Sequence, residues 1–258
     1  MVNRLWQYHF GRGLVPTPSD FGLNGGRPSH PELLDWLANE LVAHDWSLKH
    51  VHRLIVLSAT YRQESSVHEP INRKVDAQDR LLWRYPPRRL EAEPLRDAVL
   101  AVSGNLDLRM GGPGFDLFEP NANYVKVYTP KKEFGRAEWR RMVYQNKPRM
   151  QLDDTFGAFD CPDAGQIAPQ RNSSTTALQA LNLLNGRFLM QQSGLFAERL
   201  KREAGDDPAA QARRGFRLAF GREPSVQESA AAVRLIREHG PAAFCRALLN
   251  ANEFLYVY

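Results

Sequence analysis

Cysteine is almost missing from this sequence. Its 258 residues contain only Cys161 and Cys245, which are far apart. That excludes a disulfide scaffold, a haem-attachment pair and a zinc ribbon. No run approaches the ~18 consecutive apolar residues that a membrane-spanning helix needs. No repeat period of about 20–50 residues appears, so a solenoid is excluded. Phosphate loops are missing too. Gly111-Gly112-Pro113-Gly114 lacks the lysine, and Gly11-x-Gly13 follows a helical pattern where a dinucleotide fingerprint follows a strand. Zinc-type spacing is absent among the histidines. His50 and His52 point to opposite sides of one helix, and His9 and His30 lie only loosely near Asp20 and Asp35. No metal ligand set and no cofactor are expected. Lysine is scarce as well, 7 residues against 27 arginines.

What remains is an ordinary globular composition, 43% hydrophobic and 24% charged, in a chain long enough to bury a core without staples. Apolar spacing predicts helices. The chain opens inside one, with Val2, Leu5, Trp6 and Phe10 on a face and Gly11 as its stop; no cap or leader pattern precedes it, as in a fragment. Ser29-His30-Pro31-Glu32 reads as a capping box for a helix through Val42. Ser47 caps the next, which runs to about Tyr61, and the polar stretch 62–87 reads as loop with one helical turn. Glu93-Pro94 starts another helix, closed by Gly104. Helices return near Thr176, with Leu178, Leu181, Leu184, Phe188 and Leu189 as a buried run and a break at Gly194. Further helices span 208–220, Ser225 to Gly240, and Pro241 onward. Between them, 105–172 reads as irregular, with Val125–Tyr128 alternating like a strand and Arg141–Tyr144 as its partner. The expected architecture is mainly α. Its parts are an N-terminal helical part (1–104), an irregular, partly β insert (105–172) and a C-terminal helical part (173–258).

Positive charge is concentrated in one window of that insert. Residues 126–149 alone carry +6, and the rest of the chain carries −1. Lys126, Lys131, Lys132, Arg136, Arg140 and Arg141 are interleaved with Trp139 and Tyr144. Cations beside rings are what an anionic polymer needs, although a solvated loop around core aromatics gives the same pattern. Binding of an anionic glycan or a protein partner is therefore placed here. The local character of the charge argues against nucleic acid.

Chemistry elsewhere rests on carboxylates. Glu91/Glu93, Asp153/Asp154 and Asp160/Asp163 occur as pairs, and Asp160-Cys161-Pro162-Asp163 reads as a turn. Cys245 is read as core, and Cys161 as a more accessible loop thiol with only Arg171 at a distance to activate it.

Several stretches together carry a resemblance. They are Asn3-Arg4-Leu5-Trp6-Gln7-Tyr8-His9-Phe10-Gly11-Arg12-Gly13-Leu14-Val15, Asp20-Phe21-Gly22, Ser29-His30-Pro31-Glu32-Leu33-Leu34-Asp35-Trp36-Leu37, Arg88-Arg89-Leu90-Glu91-Ala92-Glu93 with Arg96-Asp97, Phe159-Asp160-Cys161-Pro162-Asp163, and Leu178-Gln179-Ala180-Leu181-Asn182. The chain strongly resembles a planctomycete-type domain of unknown function over nearly its whole length. The resemblance implies an exported, extracytoplasmic protein with upstream domains, often including a cytochrome c-like module. It implies no reaction. The cysteine expected shortly before Arg171 is absent here, so a thiol role at that position is in doubt. The matching polar residues form either architectural struts or a hydrolase site. Candidates for the latter are Glu93, Asp97, Asp160, Asp163, Arg96, Arg171 and His30, acting on a polysaccharide-like substrate.

Overall fold

The computed structural model describes residues 1–67, 69–119, 124, 127–149, 151, 156–162, 165 and 167–257. It is mainly α, with ten α-helices among the described residues and one sheet of two two-residue strands, Arg88–Arg89 and Tyr256–Val257. The chain divides into two compact units, residues 1–88 and residues 89–257.

In the first unit, α1 (Val2–Phe10), α2 (Pro31–Ala43) and α3 (Leu48–Leu57) pack pairwise. Their core is Leu5, Trp6, Phe10, Leu37, Val51 and Ile55, closed by Tyr85 from the loop after α4 (Pro70–Val75). The amide of Asn3, on α1, ties down the following loop: it donates to Val15 O (3.0 Å) and accepts from Val15 N–H (2.8 Å). Gly11 ends α1 in the left-handed conformation and Ser47 caps α3, as the sequence predicts. The predicted capping box at Ser29 does not form. His30 is the N-cap of α2, and the Ser29 hydroxyl is taken up by His30 Nδ1 (2.9 Å) and Leu14 O (3.4 Å). Helix α3 also stops at Leu57, because Ser58 turns extended and bonds back to Ile55 O (2.7 Å).

The second unit is built on α5 (Ala92–Ser103), α6 (Ala177–Asn185), α7 (Arg187–Ala204), α8 (Pro208–Phe220), α9 (Val226–Asn250) and the short α10 (Asn252–Leu255). Helix α7 packs against α5, α8 and α9, burying Leu95, Val99, Phe196, Leu200, Phe244 and Leu249. Gly215 on α8 allows the approach of α9, since a Cβ there would lie 2.7 Å from the Phe244 ring. Gly240, at φ 83, kinks α9 just before Pro241, where the sequence places the boundary between two helices.

Two helical expectations fail. The break between α6 and α7 falls at Gly186, whose extended backbone is the C-cap of one helix and N-cap of the next; Gly194 lies inside α7. Leu178, Leu181 and Leu184 face solvent, at 57%, 54% and 44% exposure, because Gln179 and Leu183 occupy the inward face of α6. The described residues of 105–172 form 3-10 turns and isolated bridges, and Met142–Tyr144, expected as a strand, is a 3-10 turn. Its proposed partner is only partly described, since Val125 and Lys126 lie outside the described residues. Isolated bridges link Asp107 with Arg140, Phe115 with Gln145 and Phe118 with Pro130.

Candidate functional site

Helix α5 organises the polar interior of the second unit. Glu93 sits in its first turn, Arg96 and Asp97 in the next. Arg96 is fully buried and donates to the carbonyls of Arg140 (2.9 Å) and Glu138. Its guanidinium lies over Phe115 and Phe188, 5.0 and 5.2 Å from the ring centroids.

Glu93 gathers residues distant in sequence. Arg171 grips it in a fork, at 2.6 and 2.9 Å, while Arg171 Nε reaches Glu91 at 3.3 Å. Lys147 Nζ donates to Glu93 Oε1 (2.9 Å) and to Cys161 Sγ (3.0 Å). Burial pushes the Glu93 carboxyl up, but hydrogen bonds from Arg171 and Lys147 outweigh it and hold the pKa at about 2. Burial also opposes the charge on Lys147, yet its bonds to Cys161 and Glu93 leave its pKa raised. Cys161 is buried, against the expected accessible loop thiol, and burial pushes its pKa up against the pull of Lys147. A thiol so placed stays protonated and is a poor nucleophile. Cys245 is core, as expected.

Asp97 accepts from Met142 N–H (2.8 Å) and meets Arg141 Nε at 3.4 Å. Together Glu91, Glu93, Asp97, Arg141, Lys147 and Arg171 line a cleft of about 790 Å³. Asp160 stands apart from that lining. In a left-handed backbone conformation, φ 55, it accepts from the Ser174 amide (2.7 Å) and hydroxyl (2.9 Å). Arg89 donates to Ser174 O (3.1 Å) and to Gln179, which in turn donates to Ala158 O (2.9 Å). His30 belongs to the first unit, and Asp163 lies outside the described residues.

The basic window splits in two. Arg140 is buried, donates to the carbonyls of Arg109, Gly111 and Pro113, and stacks 3.9 Å over Tyr144. Tyr144 in turn accepts from Gly111 N–H through its hydroxyl (2.8 Å). Lys131 pairs with buried Glu138 at 2.7 Å, and Trp139 packs against the core. Lys132, Arg136, Arg141 and Arg149 are exposed, as are Tyr124, Val127 and Tyr128. Lys126 lies outside the described residues.

Sequence reasoning missed two groupings. Lys147 and Cys161 join Glu93 across separations of 54 and 68 residues, for which no local signal exists. Glu40, His44 and His50 converge in the first unit; here a signal was present, a Glu and a His one helical turn apart, followed by a His at the start of the next helix.

A family model described as a protein of unknown function (DUF1553) matches residues 1–236. The chain belongs to that family. No curated protein and no solved structure matches it. No helix among the described residues is long and apolar enough to cross a membrane.

Proposed function

We propose that this chain is a non-catalytic accessory or interaction module of an exported assembly, and that it contacts an anionic polymer or protein partner through the exposed cations of its insert. One observation carries the reading: several of the polar residues quoted for the family resemblance are engaged as internal struts. Asn3, Arg89, Arg96, Asp160, Gln179 and the Glu93–Arg171 pair each join segments distant in sequence. Four cations of the insert, Lys132, Arg136, Arg141 and Arg149, are exposed, and so are the rings of Tyr124 and Tyr128. That combination suits a charged, partly planar ligand. Export and a cytochrome-bearing neighbour rest on the family resemblance alone.

The competing reading is a hydrolase acting on a polysaccharide-like substrate, and the cleft where Glu93 and Asp97 meet Arg171 and Arg141 favours it. Acid catalysis needs a carboxyl that keeps its proton near neutrality. Glu93, held at about 2, gives none.

The test is binding of a panel of sulfated and uronic-acid glycans at two salt concentrations. The triple charge reversal K132E/R136E/R149E is expected to weaken binding at least tenfold at low salt, with the wild-type affinity falling as salt rises. Unchanged binding by the variant, or no binding across the panel, refutes the glycan form of the proposal.

A further inference from the structure

The first unit holds a second constellation that the interaction reading leaves unused. Glu40 lies in the last turns of α2, and His44 follows one turn later as its C-cap. The chain then reverses through Asp45 and Trp46, both left-handed at φ 53 and 57, and Ser47 starts α3. His50, in the first turn of α3, is thereby returned to Glu40. Glu40 Oε2 stands 2.9 Å from His50 Nε2 and 3.4 Å from His44 Nδ1, which lies nearer the Glu40 main-chain carbonyl (3.0 Å) and leaves it when an ion binds. All three donor atoms lie within 4.8 Å of one another.

We propose that Glu40, His44 and His50 form a site for a divalent transition metal of zinc-like ligand preference. Two imidazole nitrogens and a carboxylate oxygen are a donor set that zinc accepts, with a fourth position left for water or substrate. At Zn–N and Zn–O lengths of about 2.0–2.1 Å, tetrahedral ligand atoms stand roughly 3.3 Å apart. The separations of 2.9 and 3.4 Å bracket that edge. Both histidine contacts converge on the same carboxylate oxygen, so an ion drawn to it meets all three residues. The site also sits at the C-terminal end of a 13-residue helix, where the backbone dipole favours a cation.

The two imidazoles stack at 3.6 Å between centroids and 13° between planes. Binding therefore rotates one ring about its Cβ–Cγ bond so that both lone pairs meet at the ion. His44 has the room, since its side chain is 47% exposed. His52 projects from the other side of α3 onto His9 (2.8 Å) and supplies an internal control. This site is independent of the charged insert, so either proposal can fail without the other.

The test uses the full chain. Zinc affinity and stoichiometry are measured by competition with a chromophoric chelator, and cobalt(II) is added to read coordination from its visible absorption. One ion per chain is expected, with the intense visible bands of tetrahedral cobalt. His50→Ala and His44→Ala should each weaken zinc binding more than tenfold, Glu40→Gln should weaken it and alter the cobalt spectrum, and His52→Ala should change neither. Far-UV circular dichroism of each variant separates loss of ligand from loss of fold. Absence of stoichiometric binding by the wild type overturns the proposal. So does equal affinity in folded His50→Ala and Glu40→Gln, or loss of binding in folded His52→Ala alone.

Discussion

The Glu93 cluster makes a quantitative statement about acid stability. Its carboxylate is one-fifth exposed and takes hydrogen bonds from Arg171 at 2.6 and 2.9 Å and from Lys147 at 2.9 Å. A carboxyl whose pKa is depressed by folding contributes stability above its unfolded pKa. It loses that contribution as pH falls through the folded value. Here the window runs from 4.5 down to about 2. At about 1.4 kcal/mol per pH unit the shift is worth roughly 3 kcal/mol, and solvent at the exposed edge trims it to about 2–3 kcal/mol. Glu93→Gln keeps the shape and removes the charge, leaving Arg171 and Lys147 facing a neutral amide. Urea unfolding of both proteins at pH 7, 5, 4 and 3 isolates the term, because the other carboxylates titrate alike in both. The wild type should be more stable by about 2–3 kcal/mol at pH 7 and pH 5, and the gap should close below pH 4.5. A gap that is independent of pH, or one that widens on acidification, refutes the assignment.

Other substitutions test the struts and the packing. Arg96→Met fills the volume but leaves the carbonyls of Glu138 and Arg140 without their donor; a loss of about 2–4 kcal/mol is expected in urea unfolding. Asn3→Ala removes both bonds to Val15. It should cost about 1–3 kcal/mol and raise the hydrogen-exchange rate of the Val15 amide. Gly215→Ala gains helix propensity of about 1 kcal/mol, yet its Cβ would lie 2.7 Å from the Phe244 ring and 3.0 Å from Leu248. Overpacking should win, lowering the melting temperature, and a rise would show that α8 and α9 are free to separate.

Local chemistry read well from sequence, and long-range chemistry did not. Gly11, Ser47, Gly104, Ser225 and the Gly240–Pro241 boundary were all visible, because a cap or a left-handed residue is decided within a few positions. Ser29 failed because the helix starts one residue later, at the N-cap His30, whose Nδ1 takes up the Ser29 hydroxyl together with Leu14 O from fifteen residues away. Asn185-Gly186 is itself a turn signal, and it outweighed Gly194, which α7 tolerates with open space where a Cβ would be. The leucines of α6 misled because spacing shows that a face exists without showing which face turns inward. Gln179, bonded to Arg89, Ala158 and Ser174, set that orientation. Within the candidate site, Glu93 and Arg171 were each visible as polar residues of the resemblance. Lys147 was visible only as part of a basic run, and its pairing with Cys161 belongs wholly to the fold.

Arginine side chains satisfy backbone carbonyls of the insert and of the segments that border it. The described residues of 105–172 form little regular ladder, so their carbonyls need donors from side chains. A guanidinium offers five donors in a rigid fork and keeps its charge when buried, which an ammonium does less well. Arg140 serves three carbonyls, Arg96 two, and Arg89 a carbonyl and an amide oxygen. A cation buried or paired this way offers a partner no direct contact, so the +6 of residues 126–149 overstates the number of cations a ligand can touch. Arg140, Lys131 and Lys147 are consumed within the fold, and Arg141 leans on Asp97. Among the described residues of that window, Lys132, Arg136 and Arg149 remain the cations most open to solvent without an ion-pair partner, and a partner selected by charge must find those three.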